Sequence, residues 1–180
     1  MDRRQKKTRE AIFQAFTELL KKEPYSKITV QGIIDTANVG RTTFYAHFET
    51  KDSLLKSLCA EIFEHVFSDE LKKEKTHDFS ADHNAKAMIT HILYHLQEHM
   101  DYLPNILSGE SGEIFMGSFK AHLSELFSRT RAPSGSNVPR DYMLNHMVCD
   151  FTESVRWWTL NKKYSPEEIG SFFIETTPLA

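Results

Sequence analysis

The sequence predicts an all-α protein, and three observations carry that expectation. Apolar residues recur every three to four positions over long tracts, with no sustained two-residue alternation. The breaks between tracts hold Pro, Gly, Asn or Ser. Several tracts are preceded by Ser or Thr, the residues that cap helix N-termini. The chain has 180 residues, 40% apolar and 26% charged, a globular composition with ample material for a core.

Ile12, Phe13, Phe16, Leu19 and Leu20 share one face, so residues 3–22 read as an amphipathic helix. Glu23-Pro24-Tyr25-Ser26 breaks it. Thr29 is placed to cap a short helix through about Thr36, and Ala37-Asn38-Val39-Gly40 reads as a turn. Residues 41–47 form a second short helix. Thr50 then caps a helix from Lys51 that carries Leu54, Leu55, Leu58, Ile62, Phe63 and Val66. The polar stretch 72–80 reads as a loop, and 82–100 resumes helical spacing. Pro104 and Gly109 punctuate the next stretch, with Glu110-Ser111-Gly112-Glu113 expected in a loop and 111–130 as a helix. Residues 132–137 read as a flexible link, and 140–163 as a long helix. Ser165 with Pro166 opens the last helix as N-cap and N1.

Charge divides the chain. Residues 1–58 hold 11 Lys and Arg against 7 Asp and Glu, a net +4, whereas 59–180 hold 11 against 18, a net −7. A basic head suits a polyanion such as DNA; a solvated surface with chance asymmetry is the alternative on charge alone. No apolar run approaches the roughly 18 residues of a membrane span, and no apolar stretch follows the basic N-terminus as in a secretory signal. The two cysteines, Cys59 and Cys149, make no secreted disulfide framework, so a reducing, cytoplasmic setting is expected.

Two short helices joined by a tight turn inside the basic segment form a helix-turn-helix pattern. Ile33, Ile34, Ala37, Val39, Phe44 and Phe48 supply its small core, and Asn38 tolerates the left-handed turn. The second helix, Arg41-Thr42-Thr43-Phe44-Tyr45-Ala46-His47, keeps a mostly polar outer face. Arg41 can grip a guanine with two hydrogen bonds, and the Thr and Tyr hydroxyls can reach phosphates or base edges.

The run from Thr29 to Leu55, above all Thr42-Thr43-Phe44-Tyr45-Ala46-His47-Phe48-Glu49-Thr50-Lys51-Asp52-Ser53-Leu54-Leu55, resembles the DNA-binding signature of the TetR family of transcriptional regulators. The resemblance implies a three-helix DNA-binding head, expected at residues 1–50, and a helical body at 51–180 that dimerises and takes a small-molecule effector. By position it implies that Thr29 meets a phosphate, that Gln31 reaches the major groove and that Arg41, Thr42 and Thr43 front the recognition helix. Tyr45 and His47 match the family's phosphate-contacting pair, and Lys51 matches the lysine near the DNA backbone at the start of the fourth helix. Asn38 stands where the family commonly has Gly, and Gly40 where it commonly has Ser. The C-terminal run Val155 to Phe173 resembles a subgroup of the family that includes dihydroxyacetone kinase operon activators.

In the 140–163 helix, Leu144, Met147, Val148, Phe151, Val155 and Trp158 share one face, while Tyr142, His146, Cys149, Trp157 and Leu160 lie on the other. A helix apolar on two sides needs cover on two sides, and the simplest second cover is the same helix of another copy. Ile169, Phe172 and Phe173 of the last helix join that bundle, so Tyr142, His146, Cys149, Trp157, Phe172 and Phe173 are the expected dimer interface. Tyr94, Phe115, Phe119 and Phe151, with Met116, are the candidate lining of an effector pocket, although aromatics at helical spacing are more often plain core. His91, His95 and His99 share one helix face in metal-binding spacing but lie beside the apolar stripe, so boundary histidines are expected and no metal or cofactor. Cys59 and Cys149 are expected to be buried small residues. Nucleophile-elbow, P-loop, dinucleotide and zinc-protease patterns are all missing from the sequence, which argues against an enzyme. The expected protein is a TetR-type dimer on a palindromic DNA operator, a repressor by default, controlled by a small molecule. The alternative is a regulator acting through a protein partner with no inducer.

Overall fold

Among the described residues, the amphipathic tracts of the sequence become helices. The computed structural model describes residues 3–67, 85–129 and 137–177. Among these lie α1 (Arg3–Lys22), one 3-10 turn (Tyr25–Lys27), α2 (Val30–Ala37), α3 (Arg41–His47), α4 (Lys51–Val66), α5 (Ala85–Glu98), α6 (Leu103–Leu107), α7 (Glu110–Ser128), α8 (Arg140–Leu160) and α9 (Pro166–Thr176), and no strand. The expected loop at 72–80 and most of the expected link at 132–137 lie outside the described residues. Among those described, no helix is long and apolar enough to cross a membrane.

The chain divides into two units. The first joins residues 1–61 to 101–115. Its core is Ile12, Phe13, Phe16 and Leu20 of α1, Ile33 and Ile34 of α2, Phe44 of α3, Phe48, and Leu54 and Leu55 of α4. Phe13 meets Phe48 edge to face at 5.4 Å. The segment 101–115, which sequence alone assigns to the body, belongs here because Asn105 Nδ2 donates to Leu20 O (2.7 Å) and satisfies a carbonyl at the end of α1. Sequence periodicity misses α6, since five residues are too few to show a period. It also misplaces residues 110–113: Glu110 and Glu113 occupy the first turn of α7, where carboxylates suit the helix dipole. Ser111 is buried there and donates to Ile106 O and Ser108 O.

The second unit joins residues 62–100 to 116–180. Here α5 packs against α9. Gly170 of α9 permits the approach, because a Cβ there would stand 2.9 Å from Thr90 Oγ1. A ring cluster fills the centre: Phe63 stacks on Phe119 at 5.4 Å, Phe119 lies 6.0 Å from Phe151, and Phe151 meets Phe173 at 5.0 Å. A complete capping box starts α9, with Ser165 Oγ accepting from Glu168 N and Glu168 Oε2 accepting from Ser165 N.

His91 and His95 depart from expectation. Both are buried, with ring centroids 4.4 Å apart. The reason is that α5 is buried around nearly its whole circumference, through Ala87, Ile89, Thr90, Ile92, Leu93 and Leu96, so it has no boundary face where they stand. Among the described residues, no group of three or more His, Cys, Asp or Glu is placed to hold a metal ion. Cys59 is buried, and burial pushes its thiol up to about 12, which leaves little reactive thiolate. Cys149 is only half-buried.

Candidate DNA-binding site

The site starts at Thr29, in extended conformation (φ −105°, ψ 154°), whose hydroxyl accepts from Gly32 N at 3.0 Å and caps α2. At the other end of α2, Asn38 takes the left-handed conformation (φ 51°, ψ 48°), and its N–H bonds back to Asp35 O and Ile34 O. This single residue reverses the chain between α2 and α3. A β-branched side chain there meets its own carbonyl, so Asn38→Val is expected to cost about 1–2 kcal/mol, whereas Asn38→Gly stays near wild type. Urea unfolding of the two variants checks this.

The turn delivers α3 with its apolar side inward. Phe44 is fully buried, while Arg41, Thr42, Thr43 and Tyr45 are exposed and His47 is half-buried. The Tyr45 ring meets Phe44 edge to face at 5.5 Å, which orients its hydroxyl without burying it. Tyr45 is 48% exposed, a large aromatic held at the surface. Beside this face lies a cleft of about 520 Å³, lined from α1 by Arg4, Gln5, Thr8 and Arg9 and from α3 by Thr42, Thr43, Ala46 and His47. Sequence reading misses the α1 residues, because periodicity shows them only as a helix face; the basic run Arg3 to Arg9 is the available signal. Arg9 is already engaged within the unit. Its guanidinium bonds Glu61 (3.2 Å) and lies over the rings of Phe13 (4.8 Å) and Phe48 (5.1 Å).

Two expected contacts look different in three dimensions. Gln31 is exposed, but its Oε1 accepts from Arg41 Nη2 (2.9 Å) and its Nε2 donates to Asp35 Oδ1 (2.7 Å). Lys51 turns inward. Its Nζ donates to Tyr25 O (2.9 Å) and Ile28 O (2.7 Å) and stands 4.0 Å from the centre of the Tyr25 ring. The Tyr25 hydroxyl donates to the Asp52 carboxylate. Burial holds the Lys51 ammonium below the ordinary lysine range, with Asp52 opposing. The first turn of α4 presents Lys51 to the carbonyl of Ile28 and to that of Tyr25, which also accepts from Ile28 N in the 3-10 turn. Two of the three ammonium donors of Lys51 are thus engaged inside the head, and the contact with the DNA backbone that the resemblance implies has the third to use.

The body residues also sort themselves. Phe115, Phe119 and Phe151 are fully buried. Phe119 and Phe151 belong to the ring cluster of the second unit, as core rather than as an open lining. Tyr94 is half-buried, and its hydroxyl donates to the Glu167 carboxylate, which pushes the phenol up to about 12. Of the expected interface, Tyr142, His146, Trp157 and Phe172 are exposed and Cys149 is half-buried. Phe173 is corrected: it is 1% exposed and stacks on Phe127, because α9 turns that side toward α7 and α8 of its own unit.

The comparisons agree with this geometry. Residues 12–58 match the family described as bacterial regulatory proteins, tetR family, and residues 83–177 match the description transcriptional regulator C-terminal region. A TetR transcriptional regulator from Streptococcus agalactiae has a solved structure that superposes with a TM-score of 0.73 at 32% identity, covering 98% of this chain and 96% of that one. An HTH-type transcriptional regulator of Bacillus subtilis, YxbF, is 41% identical over 71 residues, which are 37% of this chain and 19% of YxbF. The dhaKLM operon transcriptional activator DhaS of Lactococcus lactis is 32% identical over 62 residues, 34% of this chain and 33% of DhaS. The matched segments thus span well under two thirds of these two curated relatives. TetR family members are DNA-binding transcription factors rather than enzymes. The matches at both ends of the chain, on a capped helix-turn-helix with a polar recognition face, make this protein a member of the TetR family of transcriptional regulators.

Proposed function

We propose that the protein binds a near-palindromic DNA operator as a homodimer and represses transcription there until an effector bound by the body releases it. The observation that carries the reading is the outer face of α3, where Arg41, Thr42, Thr43 and Tyr45 stand exposed over a buried Phe44. Thr29, Tyr45 and His47 then meet phosphates and fix the register, while Arg41 reads a base edge in the major groove. The basic and polar wall of α1 beside the cleft, Arg4, Gln5 and Thr8, adds a place for a further stretch of backbone.

Dimerisation rests on the exposed apolar residues of α8 and α9: Tyr142, Trp157, Leu160 and Phe172, the last two 78% and 42% exposed. A shallow cleft of about 280 Å³ among Asp150, Glu153, Ser154, Trp157, Ile169 and Phe172 gives that face relief for a second copy. Two recognition helices of a dimer enter successive major grooves about 34–36 Å apart, or a small multiple of that, hence the near-palindrome. Trp157→Glu is expected to yield monomers in light scattering, and a persistent dimer removes Trp157 from the interface.

Repression follows from occlusion, since a dimer seated on an operator excludes other proteins from it. The effector acts by binding the dimer conformation whose heads are wrongly spaced. Selection of bound sequences from random DNA by the purified protein tests the central reading. A palindromic motif is the expected result. A folded dimer that enriches nothing at modest salt overturns it in favour of a body that docks a protein partner.

A further inference from the structure

Gln31, Asp35 and Arg41 form a hydrogen-bonded chain whose direction is fixed by chemistry. Asp35 carries a carboxylate, which only accepts, and Arg41 a guanidinium, which only donates. Gln31 offers one acceptor and one donor end, and only one orientation satisfies both neighbours. Its Nε2 faces Asp35 Oδ1 at 2.7 Å and its Oε1 faces Arg41 Nη2 at 2.9 Å. The reversed amide would set donor against donor at Arg41 and acceptor against acceptor at Asp35. Gln31 and Asp35 are four residues apart on α2, so they share a face, and the turn at Asn38 brings Arg41, the first residue of α3, beside them.

Resting on the DNA-reading function proposed above, we propose that Asp35 is a specificity-positioning residue: through Gln31 it holds the Arg41 guanidinium in the orientation that reads a guanine. Gripping guanine O6 and N7 takes two donors in one plane. A long, exposed arginine samples many rotamers, and each lost rotamer opposes binding. The Gln31 carbonyl takes one Nη2 hydrogen and leaves the other, paired with its in-plane neighbour on Nε or Nη1, as a two-donor edge for the base. Gln31, with both amide ends turned to the protein, is then a support for Arg41 and not an independent reader. All three side chains are exposed, so the chain adds little to folding stability, and its effect on base choice is separable from its effect on the fold.

Base preference from random DNA, measured at fixed salt for wild type and four variants, tests this. Arg41→Ala identifies the base pair that Arg41 reads. Asp35→Ala is expected to relax preference at that same base pair by about threefold to tenfold, a fraction of the discrimination a bidentate pair provides. Asp35→Asn, whose amide oxygen still accepts from Gln31, keeps the preference while both Asp35 variants bind all DNA somewhat more tightly for want of a repelling charge. Gln31→Met, which removes both amide ends, relaxes the same base pair and gives an independent reading should Asp35→Ala unfold. Equal tightening by both Asp35 variants with base preference unchanged means the carboxylate acts only through its charge, and overturns the proposal. So does relaxation by Gln31→Met at a base pair other than the one Arg41→Ala affects, or no relaxation by Arg41→Ala at all. If wild type itself enriches no sequence, the DNA reading falls and the positioning role with it; if wild type enriches a motif that Asp35→Ala leaves intact, only the positioning role falls.

Discussion

Phe173→Ala is expected to lower the unfolding free energy by about 3–5 kcal/mol, the range for deleting a fully buried ring. The side chain touches Phe151 at 5.0 Å and Phe127 at 6.2 Å between centroids, so the cavity opens inside the ring cluster rather than at its edge. Against a total stability of roughly 5–15 kcal/mol this is a large share, and a fall in Tm of about 6–20 °C is expected for a chain this long. Phe172→Ala, one residue earlier, is expected to change protomer stability by no more than about 0.5 kcal/mol, since the ring is on the surface and edge-on to Tyr164. In the proposed dimer its effect falls on association, so its Tm becomes less dependent on protein concentration than that of the wild type. Calorimetry of both variants at two concentrations separates the roles. A small loss for Phe173→Ala would falsify the assignment of that ring to the core.

Lys51→Met is expected to lose about 2 kcal/mol, the scale of charge-assisted hydrogen bonds to backbone carbonyls. The cation–π contact with Tyr25 goes too, and the Ile28 carbonyl loses its partner just before the Thr29 cap. The start of α2 then loosens, and DNA affinity falls at every sequence. The salt slope decides between the two roles for this lysine. Removing a phosphate-binding ammonium would reduce the slope by about one; removing an ammonium engaged inside the head leaves it unchanged. Binding titrations at three salt concentrations supply the slope, and hydrogen exchange at the start of α2 reports the loosening.

The two residues show where one-dimensional reading stops. Phe172 and Phe173 are equivalent in composition and both belong to an apolar helix. Periodicity says that α9 has an apolar face but not which element covers which part of it. Lys51 lies in a motif that points to DNA, and nothing in its neighbours along the chain shows that Tyr25 O and Ile28 O lie within reach of its ammonium. The α1 wall of the cleft is similarly hidden, because Arg4 and Thr8 lie more than thirty positions from the α3 residues they face.

Local chemistry was legible without coordinates. The caps at Thr29 and Ser165 and the left-handed Asn38 depend on a few consecutive residues, as do the breaks and the helical periods, so the all-α class, most of the helices and the helix-turn-helix could be read from order alone. The direction of each side chain within shared surroundings could not. The burial of His91 and His95, the inward turn of Lys51 and the short α6 arise from segments distant in sequence or from a helix too short to show a period, and the chain from Asp35 through Gln31 to Arg41 from the angle that the Asn38 turn sets between two helices. These were decided by packing, since a side chain takes the partner that tertiary contact brings within hydrogen-bonding or van der Waals range, and sequence order does not record that distance.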